Sequence, residues 1–330
     1  MKQNFTVTDM NSKLIKTFVP GDKIVAFFVI RKKELRVKKS DGTPYLALEF
    51  GDASGRISAA IWDQVAQYDS ELQVGEIVKV RGTVFDYNNG LSFHVDRIRK
   101  VRPEDHIRTE MFLPVNPKNL ETLENRFHEL VDFVENPYLS KLLHSVFDEP
   151  DFWSNFRQAP GGKLWHHNRL GGLMEHSIGV SEICLNASDQ YPLISKDLLL
   201  AGALLHDIGK VKSYVTQAGF IDYADDGRLL GHIVLGYNQT ERSIDEIPDF
   251  PLELRKEILH LILSHHGKLE QGSPVVPMTI EAIVLYHADE MDSKADAFTR
   301  IMTGEIPAGK KWSNYVKLLN RFIYFGDKDI

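Results

Sequence analysis

Two periods of apolar spacing divide the chain. Between residues 21 and 101 apolar positions run together or alternate with polar ones, as strands require. "KIVAFFVIRKKELRV" is apolar and β-branched before it turns basic, and "KSDGTPY" after it is a turn built on Asp-Gly and Pro. "YLALEF" and "RISAAIW" alternate with a period of two and are separated by "GDASG". The polar piece over 63–73 predicts a short helix, and "EIVKVRGTVFDY" and "LSFHVDRIRKV" then flank the turn "NNG". From about 118 to 305 the apolar spacing changes to three and four, as in Leu254, Ile258, Leu261 and Ile262. This predicts helices near 119–135, 137–147, 171–189, 196–209, 231–246, 251–265 and 277–302. The stretch between, "RPEDHIRTEMFLPVNPKNL", holds three prolines and no sustained period. The tail "WSNYVKLLNRFIYF" is aromatic and is expected to pack back onto the helices.

Five strands with a helical link between the third and fourth is the order of an OB-type barrel. The expected architecture is multidomain: a small all-β OB-type barrel over 1–102, a linker over 103–118, and an all-α bundle over 119–330. A length of 330 residues fits about two domains. The longest apolar runs, "IVAFFVI" and "LLLAGALL", fall far short of the roughly 20 residues that cross a bilayer. The opening "MKQNFTVTDM" lacks a secretory pattern, and a single cysteine suits a reducing compartment, so a cytoplasmic protein without membrane attachment is expected. Net charge is −7, but residues 1–105 hold 17 Lys+Arg against 14 Asp+Glu, a balance of +3, which leaves −10 for the remainder. An anion-binding module joined to one that gathers carboxylates would distribute charge this way.

The helical part carries the chemistry. Nine of the 13 histidines lie between 166 and 289, several of them beside acids or each other at predicted helix ends. They stand in "GLMEHS" (His176), "LLHDIGK" (His206, Asp207), "LLGHIV" (His232) and "ILSHHGK" (His265, His266), with "YHADEMD" adding Asp289. Each segment falls on a different predicted helix, and a bundle can aim them all at one point. Imidazole with carboxylate suits Mn, Fe, Co or Zn better than Mg or Ca. Five His and two Asp exceed the needs of one ion, and an Asp can bridge, so Asp207 is the expected shared ligand of a two-metal site. His260 and His287 fall off this pattern, and Asp292 lies three residues past Asp289 on the same helix.

In this order, His…His-Asp…His…His-His…Asp, the residues resemble the HD superfamily of metal-dependent phosphohydrolases in its two-metal form. With the barrel and with "WHHNRLGGLMEHS", "LLHDIGK", "LLGHI" and "ILSHHGKLEQGSP", nearly the whole chain resembles the YhaM-type 3′→5′ exoribonucleases. The resemblance implies an HD domain over 119–330. It assigns His176, His206, Asp207 and Asp289 to one ion and Asp207, His232, His265 and His266 to the other, with Mn²⁺ expected ahead of Co²⁺, Fe²⁺ or Zn²⁺. Such a pair clamps phosphate and generates hydroxide near neutral pH. Lys210, three residues after Asp207, would hold a phosphate oxygen. His166 and His167, in a Gly-rich loop, would touch the phosphate or protonate the leaving group.

In the barrel, Tyr45 and Trp62 run out of phase with Leu46, Leu48 and Phe50 and with Ile57 and Ile61, so they are expected outside, where bases can stack. Lys32, Lys33, Arg36, Lys38 and Lys39 form a basic run nearby. The expected partner is single-stranded RNA or DNA, and a homo-oligomer is compatible with the sequence. The competing functions are hydrolysis of small nucleotides with a regulatory barrel, and nucleic-acid binding with a purely structural metal.

Overall fold

The computed structural model describes residues 13–87, 90–107, 109–114, 116–163, 165–216, 219–303, 311–317 and 319–326. The chain divides into two compact units, Met1–Val115 with Val215–Asp222, and Asn116–Tyr214 with Tyr223–Ile330.

The first unit is a closed barrel in the order β1-β2-β3-β5-β4, with strands β1 (Lys23–Val37), β2 (Pro44–Gly51), β3 (Arg56–Ile61), β4 (Ile77–Tyr87) and β5 (Gly90–Lys100). Helix α1 (Val65–Glu71) links β3 to β4 as expected. The 15-residue β1 pairs with β4 over Lys23–Val29 and with β2 over Val29–Val37. A register shift between Ile30 and Lys32 marks the change of partner, since a bulge adds the bend a closed barrel needs. A parallel pairing of Ser58–Ala60 with Ser92–His94 closes the barrel. The alternation in "YLALEF" and "RISAAI" sends Leu46, Leu48, Phe50, Ile57 and Ile61 inward, where Phe28, Phe50 and Phe93 pack with ring centroids 5.5–6.3 Å apart. Asn88 and Asn89 of the expected β4–β5 turn lie outside the described residues.

The Pro-rich stretch read as a linker contains two 3₁₀ turns, Pro103–Asp105 and Thr109–Phe112, and buries Phe112 and Leu113. Residues without long-range period can still anchor locally, here through two bonds from Arg99 to Asp105 at 2.7 and 2.8 Å and one from the Arg102 backbone to the same carboxylate.

The second unit is helical: α2 (Leu120–Asp132), α3 (Pro137–Phe147), α4 (Pro150–Phe156), α5 (Gly172–Gln190), α6 (Lys196–Leu205), α7 (Lys210–Ser213), α8 (Asp225–Leu229), α9 (Gly231–Asp245), α10 (Leu252–Ser264) and α11 (Ile280–Met302). A two-stranded pair, Tyr214–Val215 with Asp222–Tyr223, follows α7. Side chains of Asn119, Asn136, Glu149 and Thr279 cap α2, α3, α4 and α11, with prolines opening α3 and α4. Every residue of "LLLAGALL" in α6 is buried, and Phe127, Phe147 and Phe156 form an aromatic core at 4.8–5.1 Å. Cys184 is buried in α5 with its sulfur unpaired, and burial pushes its thiol far above the usual range. In the tail, Ile323 and Phe325 are buried while Trp312, Tyr315, Phe322 and Tyr324 are exposed, so only alternate positions pack inward. No helix of the described residues is long and apolar enough to cross a membrane.

The hydrogen bonds from Arg99 are the largest cause holding the Asp105 carboxyl down at about 2, against an ordinary 3.8. A depressed carboxyl stabilises the fold above its unfolded value and loses that contribution as pH falls toward 2. Asp105→Asn is expected to lower barrel stability by about 1 kcal/mol at pH 7. Urea midpoints of the two proteins should converge between pH 4 and 2.

Candidate metal centre

Local chain geometry explains how so many polar groups reach an apolar interior. Helix α6 ends at Leu205, and the next residues, His206 and Asp207, turn at its carboxyl end, 0% and 2% exposed. His265 holds the same place after α10, with His266 following. The His206 ring donates Nδ1–H to the Ala203 carbonyl at 2.7 Å, and His265 does the same to Ile262 at 2.7 Å. Each imidazole thus satisfies a carbonyl that its own helix leaves without a partner. A carbonyl only accepts, so the proton sits on Nδ1 and Nε2 keeps its lone pair. His266 repeats the device on the Gln271 carbonyl at 2.9 Å, and His176 on the Asp292 carboxylate at 2.7 Å.

These lone pairs converge on Asp207. Its Oδ2 lies 3.4 Å from His176 Nε2 and 3.3 Å from His206 Nε2, and its Oδ1 lies 3.4 Å from His232 Nε2 and 3.7 Å from His265 Nε2. Asp289 Oδ1 joins the first set, 3.2 Å from His176 Nε2. His266 joins the second, its Nε2 3.2 Å from that of His232. One carboxylate therefore shows one oxygen to each of two ligand sets. His176, His206 and Asp207 form one cluster with metal-ligand spacing, and His232, His265 and His266 another. All seven expected ligands are brought together; His260 instead accepts the Met278 N–H at 3.0 Å, and His287 is exposed.

The donors fit divalent cations. His176 and His206 face each other Nε2 to Nε2 at 3.2 Å, and Asp207 Oδ1 and His265 Nε2 are buried without a hydrogen-bond partner. Orphaned acceptors at this density need a positive charge between them. Burial would raise the Asp207 carboxyl, but Lys210 and the imidazoles of His206 and His176 hold it well below the carboxylate range. Burial would lower His176, yet hydrogen bonds to Asp207, Asp289 and Asp292 raise it well above an ordinary imidazole. His232 lacks such compensation, and burial pushes it down to about 3. Ionised Asp207 and neutral His232 are in the forms that bind metal, whereas a cation at His176 has to displace the proton its Nε2 shares with the carboxylates.

The other expected site residues lie around this centre. Lys210 opens α7 after a turn rather than continuing α6, yet its Nζ reaches Asp207 Oδ2 at 2.5 Å. His166 has both ring nitrogens buried and unpartnered, with its ring centroid 5.4 Å from that of His176. Burial first, then Lys210, pushes its imidazole well below the ordinary value. His167 points elsewhere: it is 4% exposed and bonds Asp292 at 2.8 Å. Asp296, which sequence reasoning missed, accepts the His167 backbone N–H at 2.7 Å and an Arg169 bond at 2.9 Å. Asp289, Asp292 and Asp296 recur at helical spacing on α11, a signal present in "ADEMDSKAD".

On the barrel, Tyr45 and Trp62 stack on each other at 4.6 Å and 21°, and Trp62 remains 41% exposed. Lys32 faces Glu49 at 3.8 Å, Arg36 bonds Glu34, and Lys38 bonds Asp41 at 3.1 Å, all three side chains being at least half exposed.

Residues 173–294 match the family model of the HD domain, and residues 28–101 match that of the OB-fold nucleic acid binding domain. The chain carries an OB-fold domain and an HD domain. HD domains form a superfamily of metal-dependent phosphohydrolases, in agreement with the donor set of this centre. Among solved structures, the second OB-fold domain of replication protein A from Methanococcus maripaludis is 25% identical, over 27% of this chain and 94% of that one, with a TM-score of 0.23. An OB domain from Thermoplasma acidophilum is 23% identical over 24% and 76%, with a TM-score of 0.21. A replication protein A heterotrimer bound to single-stranded DNA is 20% identical over 28% and 66%, also at 0.21.

A ligand that binds only the folded state raises stability by about 2.7 kcal/mol at a hundredfold excess over its dissociation constant. Adding Mn²⁺ to chelator-treated protein should therefore raise the thermal midpoint by several degrees. Asp207→Asn should abolish most of that gain, as read by differential scanning fluorimetry with metal content by elemental analysis.

Proposed function

We propose that the protein is a cytoplasmic metal-dependent exonuclease that releases nucleoside monophosphates from the 3′ end of single-stranded RNA, with single-stranded DNA as a second substrate. The observation that carries this reading is the two-sided Asp207, with an oxygen toward each of two imidazole sets, in a chain that also carries an OB-fold nucleic acid binding domain. Direction and product rest on the resemblance to YhaM-type exoribonucleases in "WHHNRLGGLMEHS" and "SHHGKLEQGSP".

His176, His206, Asp207 and Asp289 would hold one ion, and Asp207, His232, His265 and His266 the second, Mn²⁺ being favoured over Co²⁺, Fe²⁺ or Zn²⁺. When bound, such a pair supplies Lewis acidity toward phosphate oxygens and a more acidic water. The side chains around it orient the scissile phosphate. Lys210, fixed by its ion pair to Asp207, keeps further N–H groups for a non-bridging oxygen of the phosphate. His166 offers a donor on one nitrogen and an acceptor on the other, both free for phosphate or the terminal ribose. In the barrel, the stacked Tyr45 and Trp62 give bases a platform, and Lys32, Arg36 and Lys38 add positive charge for the backbone.

With end-labelled single-stranded RNA and Mn²⁺, monophosphates should appear progressively from the 3′ end, and Asp207→Ala should slow their release by ~10³-fold or more. Turnover of cyclic dinucleotides or nucleoside phosphates, with oligonucleotides left intact in a parallel assay, would replace this reading by the small-nucleotide one. Trp62→Ala should raise KM for a long oligonucleotide about tenfold with kcat nearly unchanged, the loss of one stacked base.

A further inference from the structure

The Gly-rich loop before α5 places two histidines in opposite circumstances. His166 has two nitrogens free beside the ligands, whereas His167 is enclosed and fully bonded. Asp292 Oδ2 only accepts, so His167 gives it an Nε2 proton at 2.8 Å, while His167 Nδ1 lies 3.2 Å from Arg169 Nη2 and 3.5 Å from Glu175 Oε2. The same Asp292 oxygen takes the Nδ1–H of His176 at 2.7 Å. Asp296 secures the assembly from one turn further along α11, accepting the His167 backbone N–H and the Arg169 guanidinium. Arg169 also bonds Glu175 at 2.9 Å, on the first turn of α5 just before His176.

The backbone is shaped around this pair. His167 has φ of +45°, a left-handed conformation that L-residues with a side chain rarely adopt, and one that persists only where surroundings hold it. A Cβ on Gly161 would stand 2.6 Å from His167 Cβ, and one on Gly172 would stand 2.0 Å from the His167 carbonyl oxygen. A Cβ on Gly179, one turn beyond His176, would stand 2.3 Å from Asp292 Oδ1. Three separate glycines thus make room for the His167–Asp292 pair.

We infer that His167 is a positioning residue: with Asp292 it fixes the tautomer and direction of His176, and it ties the loop that presents His166 to the His176 side of the metal centre. This rests on the two-ion reading of the site. Carboxylates that orient metal-ligating imidazoles typically govern roughly 10–100-fold in metal affinity. The clamp touches only one ligand set, so its loss should weaken one ion and spare the other.

The experiment is Mn²⁺ binding to the full-length protein by chelator competition, with circular dichroism of each metal-free protein as a fold control. His167→Phe keeps a ring of similar size without the bond. It should retain one ion at wild-type affinity and lose the other by roughly 10–100-fold, as should Asp292→Asn, while His167→Gln, which restores a donor, should recover most of the loss. Gly179→Ala perturbs Asp292 from the opposite side without touching His167, and should show the same selective loss even if His167→Phe does not fold. Two ions at wild-type affinity in both His167→Phe and Gly179→Ala would overturn the inference while leaving the two-ion site intact. Wild-type protein that binds no Mn²⁺ would instead overturn the reading on which it rests.

Discussion

A carboxylate sealed at 2% exposure among imidazole lone pairs is the constraint around which the helical unit is organised. An isolated buried charge costs several kcal/mol, and removing one partner of such a cluster leaves the others uncompensated. The chain answers with Lys210 on one side and with donors arranged for cations on both others. The continuous apolar burial of α6 follows from the same demand. A helix that must deliver His206 and Asp207 to the interior can have no solvated face along its last two turns. The helix ends gain as well, since the terminal carbonyls of α6 and α10 find their hydrogen bonds in the rings of His206 and His265.

Much of this was legible in the sequence because its signals are periodic or local. Alternation in β2 and β3 gave the inward set Leu46, Leu48, Phe50, Ile57 and Ile61. The histidines and aspartates of the helical segments, four of them in the pairs His206–Asp207 and His265–His266 after α6 and α10, gave the seven converging side chains. What escaped has no period to announce it. The register shift in β1 depends on closing the barrel, which is a property of the whole sheet. The turn Pro103–Asp105 depends on Arg99 in the preceding strand. Helices α4, α7 and α8, of four to seven residues, are too short for a spacing of three and four to repeat. Asp296 was visible as a third aspartate on one face of α11, but its role depends on His167, 129 positions away in the chain.

The two adjacent histidines of the loop show why residue type alone underdetermines chemistry. Neighbours in sequence with the same side chain differ in everything that matters to reactivity: one has both nitrogens unpaired, the other has both engaged. The left-handed backbone at His167 turns the two rings to different sides, and the small residues around it allow that turn. Strain here buys direction.

The seclusion of Cys184 inside α5 has a practical sequel. As the chain's only sulfhydryl, and with its nucleophilic form suppressed by burial, it leaves the surface silent toward maleimides. Any cysteine engineered onto an exposed barrel or helix position would then be the sole site of dye attachment. Fluorophore pairs could be installed on the native background, without first stripping it of thiols.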